Sequence, residues 1–281
     1  MSTPQSETYR SPLHGQPVLR IGGRLARLQL PVPPDPPRDD ASRCFFCRPD
    51  ADRYDEGSWG DDLHVLGNAH PVGERSLLLF PPGPGLHETP LSGLPARVID
   101  ALFSTVADEN FRDRFGLTDA TVCTFANIGR PSGQSRRHLH LQVVAYPADQ
   151  ATGEGVDSAA VQVDRETAEA EGRLLLPRQE IEVVVPRQPG MTAELWIERP
   201  PRNRGRRRAW VEGFLQVAAA CERSVSASYN LSIREDLDLI RLVPRGLCER
   251  AGLELCYPAP LDAVVGATVD ETVHLWREAL R

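Results

Sequence analysis

Polar and apolar residues alternate most cleanly from His138 to Val143: His138, His140 and Gln142 are separated and followed by Leu139, Leu141 and Val143. Side chains on a β-strand point alternately to opposite faces. The pattern therefore predicts a strand with two imidazoles and an amide on one face and apolar residues entering a core on the other. Leu77-Leu78-Leu79-Phe80 shows no alternation and reads as a strand buried on both faces. Leu63–Leu66 and Thr121–Ala126 read as further strands. Leu94, Val98, Ile99, Leu102, Phe103 and Val106 recur at helical spacing, with Ser92 as a plausible cap and Pro95 in the first turn.

Beyond Pro147 the pattern weakens. Asp149 to about Arg165 is polar and small, the composition of a surface linker. Strands are then predicted at Glu180–Pro186 and Glu194–Glu198, a helix at Ala209–Val225, strands at Ser228–Arg234, Leu239–Pro244 and Leu253–Tyr257, and a closing helix at Thr268–Leu280. Both stretches run strands, helix, strands, which suggests an internal duplication. The first 43 residues are rich in proline, and PVPPDPPRDD reads as extended or disordered. Within them VLRIGGRLARLQL predicts a hairpin around Gly22-Gly23. The chain thus divides into an arm (1–43), a first half (44–148), a linker (149–179) and a second half (180–281).

Composition narrows the options. The 281 residues are 41% hydrophobic, enough for a sizeable core. A formal charge of −7 argues against a protein that coats nucleic acid. Without a signal-peptide pattern or an apolar run of membrane-spanning length, the expected location is the cytoplasm and no membrane partner is expected. All 32 basic Lys+Arg residues are arginines, so a lysine nucleophile is excluded and any covalent intermediate needs another side chain. Genomic base composition is the blander cause of that bias.

The candidate chemistry clusters around the His-bearing strand. An imidazole there can attack phosphorus and form a phosphoramidate, and the Gln142 amide can hold a phosphoryl oxygen. The plain alternative is a set of polar residues on a half-buried strand. Upstream, Gly129, Gly133 and Ser135 form a loop whose backbone and hydroxyl donors can approach an anion, and Arg136 and Arg137 are candidates for phosphate contact. Cys44 and Cys47 form a C-x2-C pair, a metal half-site or a redox pair. With His87, in a loop after a buried strand, and His138, they make a possible tetrahedral Cys2His2 zinc site. Cys123, Cys221, Cys248 and Cys256 are expected as small buried residues, and His64, His70 and His274 as surface residues. Arg202–Arg208, RNRGRRR, reads as a solvated loop between strand and helix, with phosphate or RNA binding as the sharper alternative.

These residues resemble the transferase branch of the histidine triad (HIT) superfamily, which includes galactose-1-phosphate uridylyltransferase and the dinucleoside polyphosphate and nucleotide-sugar phosphorylases. The match rests on His138-x-His140-x-Gln142, on Asn127, Gly129 and Ser135 at their distances upstream, on Cys44-x2-Cys47, and more loosely on Ser228-Tyr229-Asn230-Leu231 and Leu242-Val243-Pro244-Arg245. The resemblance implies an α+β fold of two related halves, each a mostly antiparallel sheet flanked by helices. It implies that His140 carries the nucleotidyl group and that Gln142 binds the transferred phosphoryl group. Asn127, Gly129 and Ser135 would contact phosphates, and Cys44, Cys47, His87 and His138 would hold a structural Zn2+. The implied partners are a nucleotide sugar or dinucleoside polyphosphate and a phosphate or sugar-phosphate acceptor, with a homodimer left open. Leu139 between the histidines, and the lack of a downstream H-x-H for a second metal, point away from a uridylyltransferase and towards a phosphorylase or an atypical nucleotidyltransferase. A HIT-type hydrolase and a zinc-stabilised nucleotide- or RNA-binding protein with a vestigial site remain the alternatives.

Overall fold

The computed structural model describes residues 6–10, 12, 17–21, 41–49, 54–69, 71, 75–132, 134, 136–147, 157–176, 181–234, 237–245, 263–265 and 267–281. The chain is α+β. Its main body is one ten-stranded antiparallel sheet, ordered β3-β4-β5-β7-β6-β11-β12-β10-β9-β8. The first half contributes β3 (Asp55–Trp59), β4 (Leu63–Gly67), β5 (Arg75–Phe80), β6 (Ala120–Ile128) and β7 (Leu141–Pro147). The second contributes β8 (Leu174–Leu176), β9 (Val183–Val184), β10 (Leu195–Glu198), β11 (Tyr229–Arg234) and β12 (Leu239–Pro244). The two five-strand sets join where β6 pairs with β11, from Tyr229↔Ile128 to Ile233↔Thr124. A separate small sheet pairs β1 (Ser6–Arg10) with β2 (Pro17–Ile21), and β2 in parallel with β13 (Ala263–Val265).

The two faces of the large sheet differ. Directly paired residues share a face, so the register sets Leu79, Leu141, Ala126, Leu231, Leu242 and Leu195 in one row, all buried in the main core. Helices α1 (Ala96–Thr105), followed by the short α2 (Glu109–Arg114), and α4 (Arg204–Ala220) cover that face, with Phe103, Trp210 and Phe214 in mutual ring contact at 4.7–5.9 Å. Helix α5 (Val269–Ala279) closes the second half: its Trp276 is fully buried and donates Nε1–H to the Ala193 carbonyl at 3.0 Å. The opposite row runs Leu66, Leu78, Gln142, Phe125, Ser232, Arg241, Trp196. At one end of this face Leu66 and Phe80 pack under Cys44, Phe46 and Cys47. At the other Trp196 packs under Val161 of α3 (Ser158–Thr167). The middle is polar and partly open, and Cys123 is exposed there.

Several expectations need correction. The stretch 149–179 is not linker throughout: Asp157 caps α3 through its side chain, and β8 follows. Small polar residues hid that helix because its apolar face is only Val161 wide. The basic run is not a loop. Arg204–Arg208 forms the first turns of α4, capped by the Asn203 side chain on Gly205 N–H. Pro95, not Ser92, occupies the N-cap of α1, and the Ser92 hydroxyl donates to Glu222. Cys123 is exposed because it lies on the open face. His64 is only 3% exposed and pairs with Asp55 at 2.7 Å, so it is not a surface residue. The hairpin around Gly22-Gly23, the strand Leu253–Tyr257, His14, His70, Cys248 and Cys256 lie outside the described residues; Val18–Ile21 of the hairpin pairs instead with β1 and β13.

Candidate active site and metal centre

Cys44 caps and Cys47 ends a single 3-10 turn, Phe45–Cys47, in which Cys47 N–H donates to the Cys44 carbonyl at 3.0 Å. That turn presents both sulfurs on one side. His87 ends the turn Pro84–Leu86 after β5, and His138 precedes β7. The four ligand atoms lie within 4.8 Å of one another. His138 Nδ1 is 3.6 Å from Cys47 Sγ and 3.9 Å from Cys44 Sγ, and His87 Nδ1 is 3.5 Å from Cys47 Sγ. Metal–sulfur and metal–nitrogen bonds of zinc length, at a tetrahedral angle, require a sulfur–nitrogen separation of about 3.6 Å. The residues therefore fit a four-coordinate, closed metal site.

The tautomer agrees. His138 Nε2 lies 2.7 Å from the Pro81 carbonyl, which only accepts, so Nε2 carries the proton and Nδ1 turns its lone pair towards the sulfurs. Burial, opposed by that hydrogen bond and aided by His87 and His140, pushes the His138 pKa down to about 4. Burial and the adjacent Cys44 push the Cys47 thiol up to about 11. A cation held between them would reverse the thiol trend, because a coordinating sulfur is deprotonated.

His140 is 6% exposed and stacks on Phe46, with centroids 4.8 Å apart and planes at 29°. The same Phe46 ring contacts Phe80 at 4.5 Å and His138 at 5.6 Å, so the metal knot and His140 share one wall. His140 Nδ1 is 2.9 Å from the His138 carbonyl and must donate to it. Nε2 is then the atom with the lone pair. Burial lowers the His140 pKa, against the pull of that hydrogen bond, and keeps the ring neutral. The strand itself begins only at Leu141, so the two histidines sit just ahead of it and only Gln142 is within it. Gln142 is half-buried beside Phe125 and Leu78.

The loop after β6 is held by its own side chains. Gly129 has φ +77°, and a Cβ there would come within 2.8–2.9 Å of Ser228 and the Ala227 carbonyl, so glycine is required. Its N–H donates to Gln134 Oε1 at 2.7 Å, which gives Gly129 a conformational role. Ser228 receives the Ser132 N–H at 2.9 Å and donates to the Ile128 carbonyl at 3.0 Å. Ser135 and Gly133 lie outside the described residues. Arg136 is exposed and sits 5.6 Å over the Phe45 ring; Arg137 faces Glu88 at 3.7 Å. Asn127 accepts from Asn230 at 2.7 Å. Sequence pattern alone does not reveal Phe46, the Pro81 carbonyl or Asn230 as parts of this region. Phe46 carries no signal beyond adjacency to Cys47, the Pro81 carbonyl carries none, and Asn230 requires the strand register.

The chain matches no protein-family model and no curated protein. Its fold is matched by solved structures. An ADP-glucose phosphorylase from Arabidopsis thaliana with bound ADP-glucose aligns over 98% of both chains at TM-score 0.69 and 16% identity. A GalT-like protein from the same plant aligns over 98% of this chain and 99% of its own at TM-score 0.65 and 14% identity. A uridylyltransferase aligns over 98% of both chains at TM-score 0.63 and 19% identity. The architecture is thus the GalT-type, histidine-triad-like α+β fold.

Proposed function

We propose that the protein is a nucleotidyltransferase or nucleotide phosphorylase that moves a nucleoside monophosphate through His140. The observation that carries this reading is the fixed tautomer of His140: Nδ1–H is held by the His138 carbonyl, leaving a neutral Nε2 lone pair. Nε2 attacks the α-phosphorus of the donor, the N–P bond forms, and the bond from phosphorus to the leaving phosphate ester oxygen breaks. An oxygen of the acceptor, phosphate or a sugar phosphate, then attacks phosphorus and the N–P bond breaks, restoring Nε2. Gln142 and Asn127 supply amide donors to the phosphoryl oxygens as their charge rises. Gln142 offers no acidic proton, which favours transfer over hydrolysis. Cys44, Cys47, His87 and His138 would hold zinc, which in a closed four-ligand site would supply structural chemistry; His138 itself carries the backbone carbonyl that orients His140.

The donor class proposed is a nucleotide sugar or a dinucleoside polyphosphate. The first is supported by the fold shared with an enzyme holding ADP-glucose, the second by the sequence resemblance. The test is mass spectrometry of protein denatured after incubation with each donor. An acid-labile monophosphate adduct is expected, absent in His140→Ala. No adduct, or one that survives that substitution, rejects the covalent histidine. Steady monophosphate release without acceptor identifies a hydrolase instead.

A further inference from the structure

The two halves of the sheet meet at a pair of asparagines. Asn127 on β6 and Asn230 on β11 are register partners across the seam. The orientation of both amides follows from one carbonyl. The Ser132 carbonyl only accepts, so the Asn230 atom 3.0 Å from it is the amino nitrogen Nδ2. The same Nδ2 donates its second hydrogen at 2.7 Å to Asn127, whose partner atom is therefore Oδ1. An amide carries its oxygen and its NH2 on opposite sides, so the two N–H bonds of Asn127 turn away from Asn230. Strand β7 lies on that side: Phe125 pairs with Gln142, the last pair of the two strands, and the same register continued by two residues would bring Asn127 towards His140, which sits just ahead of β7.

We propose that Asn230 is a positioning residue of the active site. It locks the Asn127 amide with its NH2 group facing the phosphorus position at His140, and it ties the same lock to the Ser132 loop. The role rests on the nucleotidyl-histidine reading of His140. It also gives a defined role to the second half, which holds none of the triad, because Asn230 sets the polarity of a first-half amide. With the opposite flip, Asn127 would turn a carbonyl oxygen towards a phosphoryl oxygen, and attraction would become repulsion.

Asn230→Asp keeps the shape and replaces the donor by acceptors. Asn127 then rotates its NH2 towards the new carboxylate. The rate of adduct formation at saturating donor is expected to fall about 10- to 100-fold, the range for losing a hydrogen bond to a charged group. Asn230→Ala leaves Asn127 free to adopt both flips, and its loss should be smaller than that of Asn230→Asp. A merely structural role predicts the reverse order, because alanine removes more contacts. In an Asn127→Ala background, Asn230→Asp should add less than about twofold, since its effect runs through Asn127. Bound metal, measured on each variant, checks that the fold survives. A wild-type rate in Asn230→Asp, or losses that multiply in the double variant, overturns the proposal. If the wild-type chain forms no adduct, the reading of His140 falls and the lock is judged by spectroscopy. In 15N-asparagine-labelled protein the Asn230 NH2 should be protected from exchange, and the Asn127 NH2 resonance should move in Asn230→Asp; an unprotected Asn230 NH2 rejects it.

Discussion

Cys47 and His140 are linked through one residue, His138. His138 turns Nδ1 to the Cys44 and Cys47 sulfurs, while its carbonyl holds His140 Nδ1. Cys47→Ser should therefore reduce bound metal from about one equivalent per chain to near zero. It should also slow adduct formation at His140 by about 10- to 100-fold, as loss of an orienting partner does. Metal analysis and adduct kinetics on the same sample check both. A second residue-scale prediction concerns Glu194, which is fully buried. It accepts from Gly190 and Met191 N–H, Trp196 Nε1 and both Arg241 Nε and Nη2, at 2.6–2.9 Å. Burial raises its pKa, but Arg241 and the other donors outweigh burial and hold it below its ordinary 4.5. A depressed carboxylate stabilises the fold above the unfolded pKa, and that stability is lost as pH falls through the folded value. Glu194→Gln strands Arg241 and should cost about 3–5 kcal/mol at pH 7. Its deficit against wild type should narrow in urea titrations below pH ~4.5. A deficit independent of pH would show that the pair is not ionised.

At the scale of elements, legibility followed how strongly one face was patterned. Helix α1 was visible because Val98, Ile99, Leu102 and Phe103 are all buried on one stripe. Helix α5, expected over Thr268–Leu280, is found at Val269–Ala279, where Thr268 and Glu271 form a capping box. The convergence of Cys44, Cys47, His87 and His138 was legible because cysteine spacing and scarce histidines limit the choices. Helix α3 was not, since it buries little more than Val161 and Asp164. The start of α4 was obscured because an arginine-rich run looks like a solvated loop until Asn203 caps it. The buried state of His64 depends on Asp55, which reaches it only through the β3–β4 hairpin. Helix α4 also contains Gly213, in an unfavourable place for glycine. A Cβ there would collide with Ile181 Cγ2 and come within 3.3 Å of Ile181 Cβ. Gly213→Ala gains about 1 kcal/mol of helix propensity, but overpacking against Ile181 costs about 1–3 kcal/mol. The expected outcome is a net loss in thermal melts. A rise in Tm would mean that the 181 segment yields.

At the scale of the whole molecule, both halves share one ten-stranded sheet, and that makes a claim about cooperativity. An internal duplication suggests two domains able to melt apart, but the β6–β11 seam joins five residue pairs in the centre of the sheet. Separating the halves would open two edges of unpaired backbone. It would also part Phe103 from Trp210 and Phe214, and Ser228 and Asn230 from the loop at Ile128–Ser132. The probes needed to test this already lie on opposite sides of the seam. The candidate metal cluster and Trp59 belong to the first half, and the other three tryptophans, the buried Trp196, Trp210 and Trp276, to the second. In Trp59→Phe protein loaded with Co2+, so that the fluorescence reports the second half alone, the thiolate–metal absorption and the tryptophan fluorescence should be lost at one urea concentration, as a single transition requires. Chelation should lower that midpoint for the tryptophans as well, although none of the three is among the metal ligands, because a ligand of the folded state stabilises everything that unfolds with it. If the absorption disappears well before the fluorescence changes, and chelation leaves the tryptophan transition in place, the halves unfold separately. The seam would then be a docking contact, and a lock such as Asn230 on Asn127 could open without unfolding the second half.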